Sequence, residues 1–354
     1  MEKELCKLIE SLPTPDRTAE REARGRWDSL AKPLGSLGRL EDALVKIAAL
    51  TGTAEVALKP RALLVFCADN GVVARGVAQC QSSVTAAVAR ALAEGRSTVS
   101  PMAALADCAV IPVDVGIFDF PGTPGVLSRR VRNGTADITR GAAMTRAECV
   151  KAVLTGAALA QEQAEQGVKL LAVGEMGIGN TTTAAAVTAA LLGLDPDTVT
   201  GRGAGLTDAG LKRKREAVRE ALAANGPDSE DALDVLTKVG GLDIAAMCGA
   251  FLGAAACRVP VLVDGVISAA AALCAQRMSP AAGSALLASH VSAEPAGEQL
   301  LRALGLEPLL CAGLRLGEGS GAVCALPLLD MACAVFGSGQ SFERLGIEPY
   351  TPQS

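Results

Sequence analysis

The chain has 354 residues, 50% of them apolar and only 2% aromatic, with a formal net charge of −5 at neutral pH. That length and apolar content supply a core for one large domain or two, built from Ala, Val, Leu and Ile, which suits helices close-packed on a parallel sheet. An acidic chain whose one basic cluster is Lys212-Arg213-Lys214-Arg215 argues against a nucleic-acid partner, which needs a positive face and often stacking aromatics.

The start, Met1-Glu2-Lys3-Glu4-Leu5, lacks a basic region followed by an apolar run, and the longest apolar stretches are broken by charge or glycine. No signal peptide and no membrane span are therefore expected, and a cytoplasmic location is. Residues 1–60 read as charged and helical, with amphipathic helices over Asp16 to Trp27 and Arg39 to Leu50. Lys32-Pro33-Leu34-Gly35-Ser36-Leu37-Gly38 forms the turn between them.

From residue 61 onward apolar runs end in an acid or glycine and hand over to Ala-rich helices, the grammar of a parallel α/β sheet. Ala62 to Cys67 ends in Asp69-Asn70-Gly71, and Ala109 to Val113 ends in Asp114-Val115-Gly116. Val168 to Val173 ends in Gly174-Glu175, Pro260 to Val263 in Asp264-Gly265, and Leu314-Arg315-Leu316 in Gly317-Glu318-Gly319-Ser320-Gly321 before a helix over Ala322 to Val335. Ligands of such sheets bind at the carboxyl ends of the strands, so this pattern gathers several acids along one edge. Taken singly, Asp69 and Asp114 read equally well as caps of the following helices.

The stretch Gly174 to Thr183 carries the most chemistry. An acid and a phosphate-sized glycine turn sit there between a strand and a helix spanning Thr181 to Leu192, whose first-turn amides can hold an anion. No Gly-Lys-Ser/Thr follows, so it is not a Walker loop; Thr182 stands where a dinucleotide fingerprint has its third glycine. A second glycine-rich stretch, Gly201 to Gly210, precedes the helix bearing the basic cluster. Helical spacing turns only one or two of those four bases toward the loop, and the alternatives are a solvated charge run or a phosphate held by loop amides and one lysine.

The eleven cysteines are scattered singly in apolar contexts, no C-x-x-C occurs and His290 is the only histidine, so buried small hydrophobes are expected rather than a metal site. Scattered cysteines fit a reducing compartment.

Ordered motifs along nearly the whole chain resemble the nicotinate-nucleotide–dimethylbenzimidazole phosphoribosyltransferase family. They are Lys32 to Glu41, Ala68 to Val72, Gly134 to Gly141, Gly174 to Thr182, Gly201 to Gly205, Val263-Asp264-Gly265, Ser289 to Pro295 and Arg315 to Gly321. The resemblance implies a large α/β domain with a parallel Rossmann-like sheet over 61–336, a smaller helical domain from 1–60 plus the tail from about 337 to 354, and a homodimer. It implies that nicotinate mononucleotide gives its phosphoribosyl group to a benzimidazole-type base with inversion at C1′, without a cofactor or metal. Glu318 is the implied base, and Glu175 a second acid near ribose or base. Gly177, Gly179, Asn180, Thr181 and Thr182 are implied to lie against phosphate with Gly203 and Lys214, and Asp264 and Ser82 to touch substrate. A structural role is the better reading of His290. The chain departs from the family at Asn70, where histidine is general, and at Cys80-Gln81-Ser82, where an aromatic precedes Pro-Gln, so the identity of the base stays open. Two other classes remain beside this one: an idle nucleotide-binding homologue, opposed by the joint presence of Glu318, Glu175 and Lys214, and a nicotinamide-dependent oxidoreductase, opposed by the missing third glycine.

Overall fold

The computed structural model describes residues 1–351. Helices α1 (Glu2–Glu10), α2 (Arg17–Ser29) and α3 (Arg39–Thr51) open the chain, followed by β1 (Arg61–Ala68), α4 (Ser83–Ala93), α5 (Val99–Leu105), β2 (Ala109–Gly116) and the short β3 (Leu127–Ser128). Next come α6 (Arg146–Glu165), β4 (Leu170–Met176), α7 (Asn180–Leu192), α8 (Pro196–Val199), α9 (Asp208–Asn225), α10 (Ala232–Val239) and α11 (Leu242–Ala256). Then follow β5 (Val261–Val263), α12 (Val266–Met278), β6 (Leu286–Ala288), α13 (Gly297–Leu304), α14 (Ser320–Phe336) and α15 (Phe342–Leu345).

The six strands form one parallel sheet in the order β3-β2-β1-β4-β5-β6. All eight residues of β1 are buried, because a strand covered by helices on both faces must be apolar along its whole length. Its first residue, Arg61, is tolerated there because its guanidinium makes paired bonds of 2.9 and 2.7 Å to Asp330 on α14. The chain runs outward from β1 through β2 to β3, then returns to the other side of β1 as β4. The crevice at the carboxyl ends of β1 and β4 is therefore the switch point at which such sheets bind ligands.

Alternate β1 residues feed two cores. Leu64 and Phe66 join α6, α7 and α9–α13 on one face; Leu63, Val65 and Cys67 join α2–α5 and α14 on the other. Helix α1 packs on the first face through Leu5, while α2 and α3 lie on the second, so the first sixty residues divide between the faces. The N- and C-terminal segments meet where the Trp27 and Phe336 rings pack 4.9 Å apart, tilted at 49°, and the Ala31 amide donates to the Gln340 carbonyl at 2.9 Å. Helices α6 and α11 approach so closely that a Cβ on Gly249 would lie 1.7 Å from the Val153 carbonyl oxygen, and this contact fixes the start of α11 beneath the site.

The expected fifth strand at Leu314-Arg315-Leu316 is irregular chain instead. Its alternation resembles an edge strand, yet no strand lies beside it; the Leu314 carbonyl accepts from the Ala293 amide of another loop at 3.0 Å. Two short strands, β3 and β6, had no sequence signal beyond a few apolar residues. No described helix is long and apolar enough to cross a membrane.

Candidate active site

A cavity of about 300 Å³ opens at the carboxyl ends of β4 and β5. Its wall includes Glu175, Gly177, Gly179, Asn180, Thr181, Gly203, Asp264 and Glu318, eight of the residues singled out in the sequence. The other three lie elsewhere. Ser82 lines a neighbouring cavity of about 570 Å³ with Cys80 and Gln81, the two sharing the wall Ala78-Gln79-Cys80. Thr182 points into the core because it follows Thr181 by one helical step of about 100°, and its buried hydroxyl has no hydrogen-bond partner. Lys214 stands behind the wall.

Glu175 sits at the end of β4, 7% exposed, and its carboxylate accepts from the Asn180 side-chain amide at the start of α7. Burial, then repulsion by Asp243, raises its pKa to about 8, against the lowering effect of the Asn180 bond. This upward shift favours the protonated, neutral form of Glu175. Lys214 reaches from α9 to donate to Thr181 Oγ1 at 2.8 Å and the Gly201 carbonyl at 3.0 Å. Burial lowers its pKa to about 8, against the pull of Glu294. Of the four clustered bases, Lys214 alone is buried, and exposed Arg213 reaches the Gly76 carbonyl instead, as helical spacing requires.

Glu318 has φ +59°, between Gly317 at +92° and Gly319 at +80°. A non-glycine residue in the left-handed region costs energy that the surroundings must hold, and such strain gathers at functional sites. Three contacts hold it. The Glu318 amide donates to the Glu175 carbonyl at 3.2 Å, and Glu318 Oε2 accepts from the Val99 amide at the start of α5 at 3.3 Å. Asp264, buried, accepts from the Gly319 and Ala322 amides at 3.2 and 3.0 Å and so caps α14 rather than the helix that follows it in sequence. The Glu318 carboxylate is half-buried.

His290 is 3% exposed, bonds Ser289 Oγ through Nδ1 at 3.0 Å, and lines the cavity beside Asp264. Burial lowers its pKa, with Asp264 pulling the other way, and the same burial raises that of Asp264. Asp69 and Asp114 cap no helix. Asp69 accepts from Thr85 Oγ1 at 2.6 Å and the Phe118 amide at 2.9 Å, and burial raises its pKa to about 6; Asp114 accepts from the Gly116 and Ile117 amides and binds Arg130. Among the described residues no cluster of three His, Cys, Asp or Glu side chains could hold a metal ion.

Sequence reasoning left out Asp243, Arg202, Glu294, Arg315 and the Val99 amide as parts of the site. Arg202, Glu294 and Arg315 lie inside motifs quoted above and line the cavity. Asp243 is the second residue of the apolar helix α11, two positions after Gly241 and with no strand before it.

A phosphoribosyltransferase family profile matches residues 12–347. The nicotinate-nucleotide–dimethylbenzimidazole phosphoribosyltransferase of Acetivibrio thermocellus is 45% identical over 328 residues, 93% of each chain. That of Clostridium acetobutylicum is 40% identical over 345 residues, 98% of each chain. The crystal structure of the enzyme of the same name from Thermus thermophilus superposes with a TM-score of 0.88 at 42% identity, covering 94% of this chain and 99% of that one. Likeness of this extent in both sequence and fold leaves no other assignment: the chain belongs to the nicotinate-nucleotide–dimethylbenzimidazole phosphoribosyltransferase family.

Proposed function

We propose that the protein transfers the 5-phosphoribosyl group of nicotinate mononucleotide to 5,6-dimethylbenzimidazole or a related base, releasing nicotinate and giving the α-ribazole phosphate. The observation that carries this reading is the convergence, in one cavity, of the strained Glu318 loop with the α7 start, where Thr181 is bonded from behind by the buried Lys214.

The leaving group is already a pyridinium and departs as a neutral ring, so the protein's tasks are positioning and proton removal. The phosphate lies against Gly177, Gly179, Asn180 and Thr181 at the positive end of α7, with the Gly203 turn above and Lys214 supplying charge through the Thr181 side. Glu318 takes the N–H proton of the incoming base as its other nitrogen attacks C1′ from the face opposite nicotinate, which inverts the anomer. Its carboxylate accepts from the Val99 amide, a contact that restrains the orientation of the group. Glu175, neutral, presents a hydrogen-bond donor to the nucleotide. Cys80, shared by both cavities, and Ser82 bound the space for the acceptor, so they are the residues that set its identity.

A homodimer is proposed from the family resemblance, and the apolar side chains exposed along α14 and the tail, Met331, Val335, Leu345 and Ile347, offer a surface for it. The smaller helical domain is proposed on α2, α3 and the tail from 337, joined by the Trp27–Phe336 ring contact. The decisive experiment incubates purified protein with nicotinate mononucleotide and a panel of benzimidazoles, purines and phenols. An α-riboside phosphate identified by mass and anomeric NMR supports the reading; nucleotide binding without any riboside defeats it.

A further inference from the structure

The mechanism above makes no use of Asp243, the first acid of α11, which is wholly buried and lines neither cavity. Yet it is tied to the site by one group: the Asn180 side-chain nitrogen donates both to Glu175 Oε2 and, at 3.0 Å, to Asp243 Oδ2. Two carboxyls thus share one amide in a dry setting. Asp243 Oδ1 accepts from the Ile244 amide at 3.0 Å. The site of the missing Gly241 Cβ lies 2.4 Å from Asp243 Oδ1 and 2.9 Å from Asn70 Oδ1, and Asn70 Oδ1 is buried with no hydrogen-bond partner.

No cation acts directly on either carboxyl, and Arg202 and Arg315 stand farther along the cavity wall that Glu175 shares. Cys67 comes from β1 and Asp69 follows it, Asp264 follows β5 and Glu318 precedes α14, with Asp114 of β2 acting on Cys67 behind them. His290 faces Asp264, and Lys214 faces Glu294. Two like-charged carboxyls that share an amide and have no counter-ion titrate as one coupled pair, holding a single proton through the neutral range.

We propose that Asp243 is a positioning residue that keeps this proton on Glu175, storing the pair's one negative charge behind the cavity wall and presenting a neutral acid to the nucleotide. Burial raises Asp243 to about 6 and Glu175 to about 8, which orders the two in that sense. The benefit follows from the substrate's chemistry, and here the inference rests on the proposed function: a mononucleotide with a phosphate and a carboxylate is repelled by an ionised Glu175. Replacing Asp243 by Asn does not delete the charge but moves it onto Glu175, inside the cavity.

The test is an infrared titration of the carboxylic-acid carbonyl stretch, which needs no turnover. Wild-type protein at pH 7 should show a protonated-carboxyl band that is lost with a midpoint near 8 and is absent from Glu175→Gln. In Asp243→Asn the midpoint should fall by about one unit or more, as on removal of a neighbouring like charge. At pH 7 the same variant should raise the KM for nicotinate mononucleotide about twofold if the midpoint falls by one unit and about tenfold if it falls by two, following the loss of the neutral fraction of Glu175, with a smaller effect on kcat. That increment should vanish in a Glu175→Gln background. The proposal is overturned if no Glu175 band exists in wild type at pH 7, or if Asp243→Asn raises KM equally in both backgrounds. Should Asp243→Asn not fold, Asp243→Ala takes its place in the same titration, and an unchanged midpoint there overturns the proposal. Wild-type protein with the band but no transfer would defeat the proposed function and leave the proton assignment standing.

Discussion

The main-chain amide of Glu318 donates to the carbonyl of Glu175 at 3.2 Å, so the two acids of the cavity are joined through their backbones. The contact depends on Gly174 having no side chain. A Cβ on Gly174 would lie 2.4 Å from the Gly319 amide nitrogen, an overlap with backbone that no rotamer relieves. The end of β4 and the turn before α14 therefore form one rigid unit, and each acid's position depends on the other's.

Gly174→Ala tests that unit. It should force the turn away from β4 and destabilise the protein by about 1–3 kcal/mol, the usual cost of overpacking. It should lower kcat more than it raises either KM, since Glu318 loses its place. Urea unfolding and steady-state kinetics measure both; a variant with unchanged stability and turnover would mean the turn is compliant.

Glu318→Gln keeps shape and the acceptor for the Val99 amide but removes basicity. Turnover should fall roughly 10²- to 10⁴-fold, the range for a positioned general base, with substrate affinities little changed. The loss should be smaller for an acceptor that needs no deprotonation. If Glu318 only supports the start of α14, kcat stays within a few-fold and the melting temperature drops.

Lys214→Ala should raise the KM for the nucleotide roughly 10- to 100-fold and that for the base far less, the effect of losing a charge-assisted contact of about 1.5–3 kcal/mol. The pH dependence has a definite sign. Because burial lowers the ammonium pKa to about 8, the free enzyme loses this charge as pH rises through 8, and nucleotide binding should weaken in that window. Isothermal titration from pH 6.5 to 9.5 should find the decline in wild type and a flatter curve in Lys214→Ala.

Asp264→Ala removes the acceptor for the Gly319 and Ala322 amides, both buried. Leaving such donors unpaired costs about 1–3 kcal/mol each when nothing replaces the acceptor. Stability and kcat should fall together, and Asp264→Asn, which retains one acceptor oxygen, should lose less of both. Chemical denaturation alongside kinetics distinguishes this from a purely catalytic role, in which kcat would drop at constant stability.

Glu175 also leaves a mark on stability. Its folded pKa of about 8 stands above the ordinary carboxyl value of 4.5, so the folded state binds more protons between those limits. Its contribution is present in full below 4.5 and is lost as pH rises through 8. Glu175→Gln lacks this dependence, so the unfolding free energy of the variant relative to wild type should grow between pH 5 and 8 and level off above. A constant difference across that range would show that the carboxyl is ionised at ordinary pH in the folded protein.

What the sequence determined is local. Doubly covered parallel strands are apolar throughout, so β1, β2, β4 and β5 stand out from their neighbours, and their Gly-acid endings named Glu175 and Asp264 without any structure. Helical spacing foretold that only one or two of Lys212 to Arg215 turn inward, and it is Lys214. Where the signal was short it failed: Leu314 to Leu316 alternates like an edge strand, but strand formation needs a partner that the sequence does not reveal. Tertiary structure decided the rest because the remaining determinants join residues distant in the chain. Asn180 and Asp243 are 63 positions apart, and Val99 and Glu318 are 219 apart. Nothing in the residues around Asp243 announces that the packing of α6 on α11 will carry it beneath Glu175. A carboxyl's pKa depends on what surrounds it in space, so the protonation states on which the site relies are properties of the fold and not of any segment.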